Sequence, residues 1–444
     1  MSVDKVICPI PWNHISVQQN GDYRICCQQI HKPFGKLTND GTVANVKNTT
    51  IDDVRNFKEI KDLRSNMLNG IRDPSCALCY HEEDVGIESK RNKMLSVYSD
   101  DLVSATPMDG TIDTSIFPLK YIDIRFGNLC NLKCRYCGPT DSSMWYEDYA
   151  KIQEEGQPVT MEFYGSQKYE IKKINNVWDV DSLDFKWYER DAFWHQIEHM
   201  IPHIDRYYFT GGEPTINKTH FELLQMIIDA GNAVNVTLEY NTNMFAIPDK
   251  LYDQWKHFKL IEIGCSIDGL GDMANYLRPP STWKQLERNL DKLGNHELNN
   301  IRASLSTTVS VFNVLHFIDL TTWLADKNYK NIVLVPAFHI LMKPECMSIQ
   351  VLPPNVKQHI VKKYAEFYHK ADIRYGWGRR LGKELKTTYG SILSFMNEQD
   401  QSHLLPVLHR HIINMDALRN QNLRDVIPWL HDIVKVFEVP EEIG

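Results

Sequence analysis

The stretch Gly127-Asn128-Leu129-Cys130-Asn131-Leu132-Lys133-Cys134-Arg135-Tyr136-Cys137 decides how this chain is read. Its cysteines form a C-x3-C-x2-C triplet. The apolar, alternating run Tyr121-Ile122-Asp123-Ile124-Arg125-Phe126 leads into it and reads as a strand. Thiolates are the usual ligands of iron–sulfur clusters, and a four-iron cubane takes four of them. This loop supplies three, which leaves one iron open, and an open position separates a working metal site from a structural one. A zinc knuckle or a set of buried thiols is the competing reading. Zinc needs a fourth ligand at a suitable spacing, and none follows closely: the next histidine is His195.

The spacing, the preceding strand and Tyr136 ahead of the last cysteine closely resemble the radical S-adenosylmethionine (SAM) superfamily. The resemblance implies a 4Fe-4S cluster on Cys130, Cys134 and Cys137, with SAM chelating the open iron. It also implies an α/β fold, a partial (β/α)6 TIM-like barrel. Downstream, strand-like runs alternate with helix-like sequence, as a parallel α/β architecture requires. After Tyr121–Phe126 they are Arg206–Thr210, Asn235–Tyr240, Leu260–Ser266, Ala303–Val309 and Asn331–Val335, with helical stretches such as Lys218–Ala230 and Val314–Lys327. Reacting groups of α/β barrels gather at the C-terminal strand ends, and the remaining motifs fall there.

Gly211-Gly212-Glu213-Pro214 directly follows the second of these strands. Paired glycines allow a backbone path that side chains would block, and Glu213 offers a carboxylate to an ammonium group. Alone this is a turn; beside the cysteine triplet it matches the GGEP motif that, in the superfamily, holds the amino group of SAM. Asn243 ends the third strand. Ser266, in Ser266-Ile267-Asp268-Gly269, ends the fourth and resembles a signature of peptide-modifying members. Both are candidates for the ribose or carboxylate of SAM. Arg278 is a candidate for bidentate pairing with a carboxylate, and by resemblance Tyr136 presents its backbone carbonyl to the adenine. Turn, cap and surface-pair roles compete for each of these.

Outward toward the N-terminus lies a second cysteine pattern. Cys8 is followed by twelve residues, Gly21, four more and Cys26; Cys76-x2-Cys79 comes later. Asn13–Gln18 and Tyr23–Gln28 read as a hairpin around Asn20-Gly21-Asp22, a strong turn signal. The spacing, with Pro11-Trp12 and the Cys26-Cys27 doublet, resembles the SPASM/twitch modules that carry auxiliary iron–sulfur clusters. The resemblance implies one fully ligated cluster on Cys8, Cys26, Cys76 and Cys79. Cys27 competes with Cys26, which the x4 spacing favours, and a four-cysteine zinc site is the alternative. In most relatives this module follows the barrel; here it precedes it. The expected organisation is a twitch-like domain over 1–100, a radical SAM barrel over 118–345 and a helical region over 346–444, with helical periodicity in Val356–Lys370 and Pro406–Leu418. The aromatic-rich insert Gly156–Trp194 suits its own packing or a wall over the barrel mouth.

The bulk properties agree with a globular enzyme. At 444 residues the chain has room for two or three domains. A net charge of −8 gives no basic field for nonspecific nucleic-acid binding. Mean hydropathy is −0.39. No signal pattern opens the sequence, and the most apolar stretch, Ile332–Met342, is too short to span a bilayer. A cytoplasmic location without membrane partners is expected. Ten cysteines in groups suit metal ligation better than a disulfide scaffold, while the isolated Cys265 and Cys346 read as buried small hydrophobes.

By resemblance, flavodoxin or ferredoxin reduces the cluster, SAM is cleaved to methionine and a 5′-deoxyadenosyl radical, and that radical takes hydrogen from a substrate C–H bond. The auxiliary cluster accepts an electron or holds substrate geometry. Resemblance to SPASM/twitch enzymes points to a peptide or protein substrate; a sugar, nucleotide or cofactor precursor is the alternative. Nothing at the N-terminus resembles a leader-recognition domain, which weighs slightly against the peptide. An iron–sulfur electron carrier without SAM chemistry is the alternative from another class. It gives no reason for GGEP, an open three-cysteine loop and polar strand ends to occur together.

Overall fold

The run before the cysteine loop forms a strand, Tyr121–Ile124, as its alternation predicts, but both of its faces are buried. A computed structural model describes residues 5–27, 37–39, 41–84, 88–98, 101–154, 171–174, 177–180, 183–375 and 379–437. Contacts divide the chain into two compact units. The first comprises Met1–Leu129, Leu183–Tyr240 and Pro248–Ile261; the second comprises Cys130–Ser182, Asn241–Ile247 and Glu262–Gly444.

In the first unit, the N-terminal hairpin pairs β1 (His14–Val17) with β2 (Tyr23–Arg24) in antiparallel register, Ser16 opposite Arg24. A second short antiparallel pair, β3 (Thr38–Asn39) and β4 (Thr42–Val43), follows it. Unexpectedly, β1 also runs parallel to β5 (Tyr121–Ile124), so the cysteine-rich hairpin extends the sheet that carries the barrel motifs. This first unit also holds β8 (Arg206–Phe209) and most of β9 (Thr237–Thr242), in the order β9-β8-β5-β1-β2. Parallel register aligns Ser16, Asp123, Tyr208 and Glu239 in one row across four strands. Because strand side chains alternate, this row shares a polar face, while Val17, Ile124, Phe209 and Tyr240 share the apolar one.

The apolar face meets the helix Lys218–Asp229, whose buried residues His220, Leu223, Leu224 and Ile227 recur at helical spacing. Asn217 starts that helix by accepting the Thr219 N–H at 2.9 Å. Each fully buried Leu or Ile there contributes about 1.5–3 kcal/mol. His220 stands edge-on to Phe209, with centroids 4.7 Å apart, and hydrogen-bonds Tyr240 at 2.9 Å. Of the insert's aromatics, Trp187 is fully buried and stacks on Phe126 at 6.2 Å, and Trp194 stacks on Phe126 at 6.0 Å. Both pack within the first unit, on the segment just past the end of Tyr121–Ile124; residues 156–170, 175–176 and 181–182 of the insert lie outside the described residues.

The second unit holds a short antiparallel pair, β6 (Ile171–Ile174) and β7 (Val177–Val180). It also holds most of β10 (Leu260–Cys265), with β11 (Ile301–Val309) and β12 (Ala337–Ile340), in the order β12-β11-β10. The last strand lies later than the expected Asn331–Val335. Ile332 makes only an isolated bridge to Ala303, and the parallel ladder resumes with Ser306 opposite Ala337. Pro336 separates the two segments; it has no N–H to donate, so a strand starts after it rather than running through it. Helices His316–Lys327, Pro354–Tyr375, Arg379–Glu398 and Leu405–Arg419 complete this unit. Cys265 and Cys346 are buried, and burial pushes the Cys346 thiol up to about 12. Among the described residues no helix is long and apolar enough to cross a membrane.

Candidate metal centre and ligand turn

Cys130, Cys134 and Cys137 all fall in the second unit, on a loop without regular secondary structure. Two local contacts fold the loop: the Cys137 N–H reaches the Cys134 carbonyl at 3.1 Å, and the Ser142 hydroxyl reaches the Leu132 carbonyl at 2.6 Å. The Trp145 indole donates to the Cys134 carbonyl at 3.0 Å from a fully buried position. From the other side, the Lys133 and Arg135 N–H groups donate to the Pro279 and Leu277 carbonyls at 2.7 and 2.8 Å. The helix Gly271–Leu277 and the turn after it therefore hold the loop by its backbone.

Side-chain N–H donors stand beside two of the three sulfurs. Arg278 Nη1 stands 3.7 Å from Cys134 Sγ, and Asn243 Nδ2 stands 4.0 Å from Cys130 Sγ. The Cys134 thiol is held below the ordinary cysteine value, first by its hydrogen bond with Cys137 and then by the Arg278 charge, against the opposing effect of burial. A loop whose sulfurs receive N–H groups suits thiolates carrying the negative charge of an iron–sulfur cluster, where such bonds tune the metal. The residues present therefore fit a three-thiolate cluster.

The other sequence candidates of this unit are placed as follows. Asn243 donates to Asn131 Oδ1 at 2.7 Å and accepts the Phe245 N–H at 2.9 Å. The Ser266 N–H donates to the Thr242 carbonyl at 2.8 Å. The Tyr136 hydroxyl meets Ser310 Oγ at 2.8 Å. Arg278 pairs with Asp268 at 2.6 Å, a fully buried carboxylate that also accepts the Thr308 N–H at 2.8 Å. Asp268 belongs to the Ser-Ile-Asp-Gly stretch but was not among the candidate residues; a carboxylate at a strand end ahead of an arginine is the signal that finds it.

A second omission is larger. Arg135, fully buried, donates to Asp416 and Gln421 and lies 3.7 Å from the Tyr276 ring centre. Arg419 bonds Asp148 at 2.9 Å and lies over the Trp145 ring at 4.4 Å. The helix Leu405–Arg419 thus buttresses the cysteine loop, and nothing local in the sequence announces it.

In the first unit, Gly211 and Gly212 adopt φ of +76° and +58°, a region costly for residues with a Cβ. A Cβ on Gly212 would lie 2.4 Å from the Leu129 carbonyl oxygen. That close approach lets the Glu213 N–H donate to the same oxygen at 2.8 Å. Glu213 is buried, and its Oε1 accepts from the Thr215 N–H and hydroxyl at 3.1 and 2.7 Å, which fixes the turn that Pro214 opens.

Also in the first unit, Cys8, Cys26, Cys76 and Cys79 line one cavity with Ile10, Pro11, Ile25, Leu63, Met67, Lys90 and Arg91. Burial raises the Cys8 thiol and takes Cys76 up to about 12. Arg91, paired with Glu83, also donates to the Ile7 carbonyl at 2.8 Å. Largely apolar walls with Lys90 and Arg91 among the lining residues suit a four-thiolate anionic cluster. Cys27 hydrogen-bonds Cys26 rather than lining the cavity. Among the described residues no three Cys, His, Asp or Glu side chains form a ready-made single-ion site.

The radical SAM superfamily model matches residues 124–321, and the SPASM iron–sulfur cluster-binding domain matches residues 8–80. No curated protein matches the chain. Among solved structures, native anSMEcpe with bound AdoMet is similar at 16% identity and a TM-score of 0.35, covering 58% of this chain and 62% of that one. Streptococcus suis SuiB bound to S-adenosylmethionine is similar at 12% identity and a TM-score of 0.34, covering 74% of this chain and 67% of that one. The chain thus spans less than two thirds of the length of anSMEcpe.

Proposed function

This chain belongs to the radical SAM superfamily and carries an iron–sulfur cluster-binding SPASM domain over residues 8–80; from that premise we propose that it modifies a peptide or protein by taking a hydrogen atom from one of its C–H bonds. Membership brings a SAM-binding 4Fe-4S cluster, SAM and auxiliary iron–sulfur chemistry. SAM bound at a reduced three-cysteine cluster supplies the 5′-deoxyadenosyl radical. The observation that carries the reading is the loop itself: three thiols, with N–H donors of Arg278 and Asn243 at the sulfurs of Cys134 and Cys130.

In this reading Cys130, Cys134 and Cys137 ligate the cluster, and the Gly211–Pro214 turn takes the ammonium group of SAM. Ser266, Asn243 and the backbone of Tyr136 orient the rest of SAM. Arg278, already committed to Asp268, keeps charge beside Cys134. Cys8, Cys26, Cys76 and Cys79 hold the auxiliary cluster. A flavodoxin or ferredoxin in the cytoplasm provides the electron, and the functional division runs 1–100, 118–345 and 346–444.

The test feeds the reduced, reconstituted protein with SAM and a perdeuterated cell extract split by size into peptide, protein and small-molecule fractions. Deuterium appearing in 5′-deoxyadenosine only with the peptide or protein fraction is the expected result. Transfer only from the small-molecule fraction overturns the peptide reading in favour of a sugar, nucleotide or cofactor precursor.

A further inference from the structure

Arg125 holds a full charge on the polar face of the first unit with most of its donors unspent. A guanidinium carries five N–H donors and cannot shed its proton. The side chain is only 19% exposed. Its one hydrogen bond among the described residues runs from Nη2 to Asp123 Oδ2 at 3.4 Å, the long limit of such a bond. Nε is buried with no hydrogen-bond partner among the described residues, as is Nε of Arg55, Arg64 and Arg72. A buried donor left unpaired calls for a physical account, and a bound ion or water is one such account.

The surroundings hold this arginine from behind. Asp123 is fully buried, and its Oδ2 accepts from the Ser16 hydroxyl at 2.8 Å, which in turn accepts from Gln18 Nε2 at 2.7 Å. The carboxylate is therefore fixed from the hairpin side. Ahead of it, the arginine stem lies across the first glycine of the GGEP turn. A Cβ on Gly211 would fall 2.8 Å from Arg125 Cβ, 3.1 Å from Cγ and 3.2 Å from Cδ. Glycine at 211 thus serves the arginine as well as the turn.

We propose that Arg125 is an oxyanion site, its guanidinium receiving a carboxylate or phosphate group through paired N–H···O bonds, with Asp123 as its positioning residue. Two sources carry that chemistry: the methionyl carboxylate of SAM, because the stem crosses the GGEP turn, or an acidic group of the substrate. The site stands on the surroundings of Arg125; only the choice between sources rests on the radical SAM reading.

The experiment uses the full chain with its clusters reconstituted, as wild type, Arg125→Gln and Arg125→Lys. Equilibrium dialysis gives the affinity for SAM and for decarboxylated SAM. The thermal midpoint of the SAM-loaded protein is followed with glutarate or inorganic phosphate against chloride at matched ionic strength. If SAM is the source, Arg125→Gln weakens SAM about tenfold or more and leaves decarboxylated SAM unchanged, as loss of a charge-assisted bond requires. If the substrate is the source, SAM binds as before, and the midpoint rise with glutarate or phosphate disappears in Arg125→Gln. Arg125→Lys falls between in either case and decides by the same readouts should the Gln variant not fold. The proposal is overturned if SAM affinity and the anion response are both unchanged, if the wild type shows no anion response while SAM affinity is unchanged, or if SAM and decarboxylated SAM weaken equally. 5′-Deoxyadenosine formation, measured in the same samples, tests the radical reading separately, and its absence beside an intact anion response leaves this site standing.

Discussion

Replacing Asp416 by alanine should disable the cysteine loop from a position far along the chain. Asp416 accepts from Arg135, from the Tyr276 hydroxyl at 3.0 Å and from the Leu423 N–H at 2.7 Å. Arg135 is fully buried, whereas Asp416 retains 12% exposure. Breaking a buried pair by removing one partner costs about 3–5 kcal/mol, because the other charge stays behind uncompensated. The residual exposure of Asp416 admits water, so the lower end, about 3 kcal/mol, is the working figure. At about 2–4 °C per kcal/mol for a unit of this size, the thermal midpoint should fall by roughly 6–12 °C. Arg135 lies between Cys134 and Cys137, so its release should also lower iron at the triplet on anaerobic reconstitution. Asp416→Asn, which keeps one acceptor oxygen where the carboxylate offers one to Arg135 and Tyr276 and the other to Leu423, should fall by less. The exposed Asp425→Ala is the control and should stay within about 0.5 kcal/mol. An Asp416→Ala protein with the midpoint and iron content of that control would refute the buttress.

Three further outcomes are expected. Gly212→Ala forces a Cβ within 2.4 Å of the Leu129 carbonyl at a φ of +58°; it should cost about 1–3 kcal/mol and weaken SAM, and denaturation with SAM titration checks both. Cys76→Ala should lower iron by about one four-iron cluster per chain, read by metal analysis; loss of zinc instead would identify a structural zinc site. His220 is buried neutral, with burial taking it from 6.5 to about 3. Its folded value lies below the unfolded one, so the unfolded state binds the extra proton. Stability should therefore fall as pH drops from about 6.5 toward 3, by about 2 kcal/mol from this residue at pH 5. His220→Gln should flatten the stability–pH slope by about one proton, and an unchanged slope would contradict the buried neutral state.

What the sequence made legible was local. The C-x3-C-x2-C spacing, the strand before it and the Asn20-Gly21-Asp22 turn each depend on neighbours a few residues away, and each appears where the pattern put it. The sixth strand did not: Asn331–Val335 is as apolar as a strand, but Pro336 leaves pairing to resume only at Ala337. Contacts between distant segments were silent. The parallel pairing of β1 with β5 joins residues more than a hundred apart, and its trace is that β1 is buried on both faces, not on alternate ones. Asp416 is 281 residues from Arg135 and sits on a helix whose pattern records only that it is packed. Among the barrel candidates, Arg278 was legible as a carboxylate partner, but the carboxylate it meets is Asp268 of this chain.

The most direct measurement is the yield of 5′-deoxyadenosine from the anaerobically reconstituted, reduced protein with SAM, set beside Cys134→Ala. A radical SAM centre on Cys130, Cys134 and Cys137 predicts SAM-dependent product in the wild type and none in the variant, while the variant keeps the iron held by Cys8, Cys26, Cys76 and Cys79. Equal product in the variant, or no product from a fully loaded and reduced wild type across all substrate fractions, would contradict it.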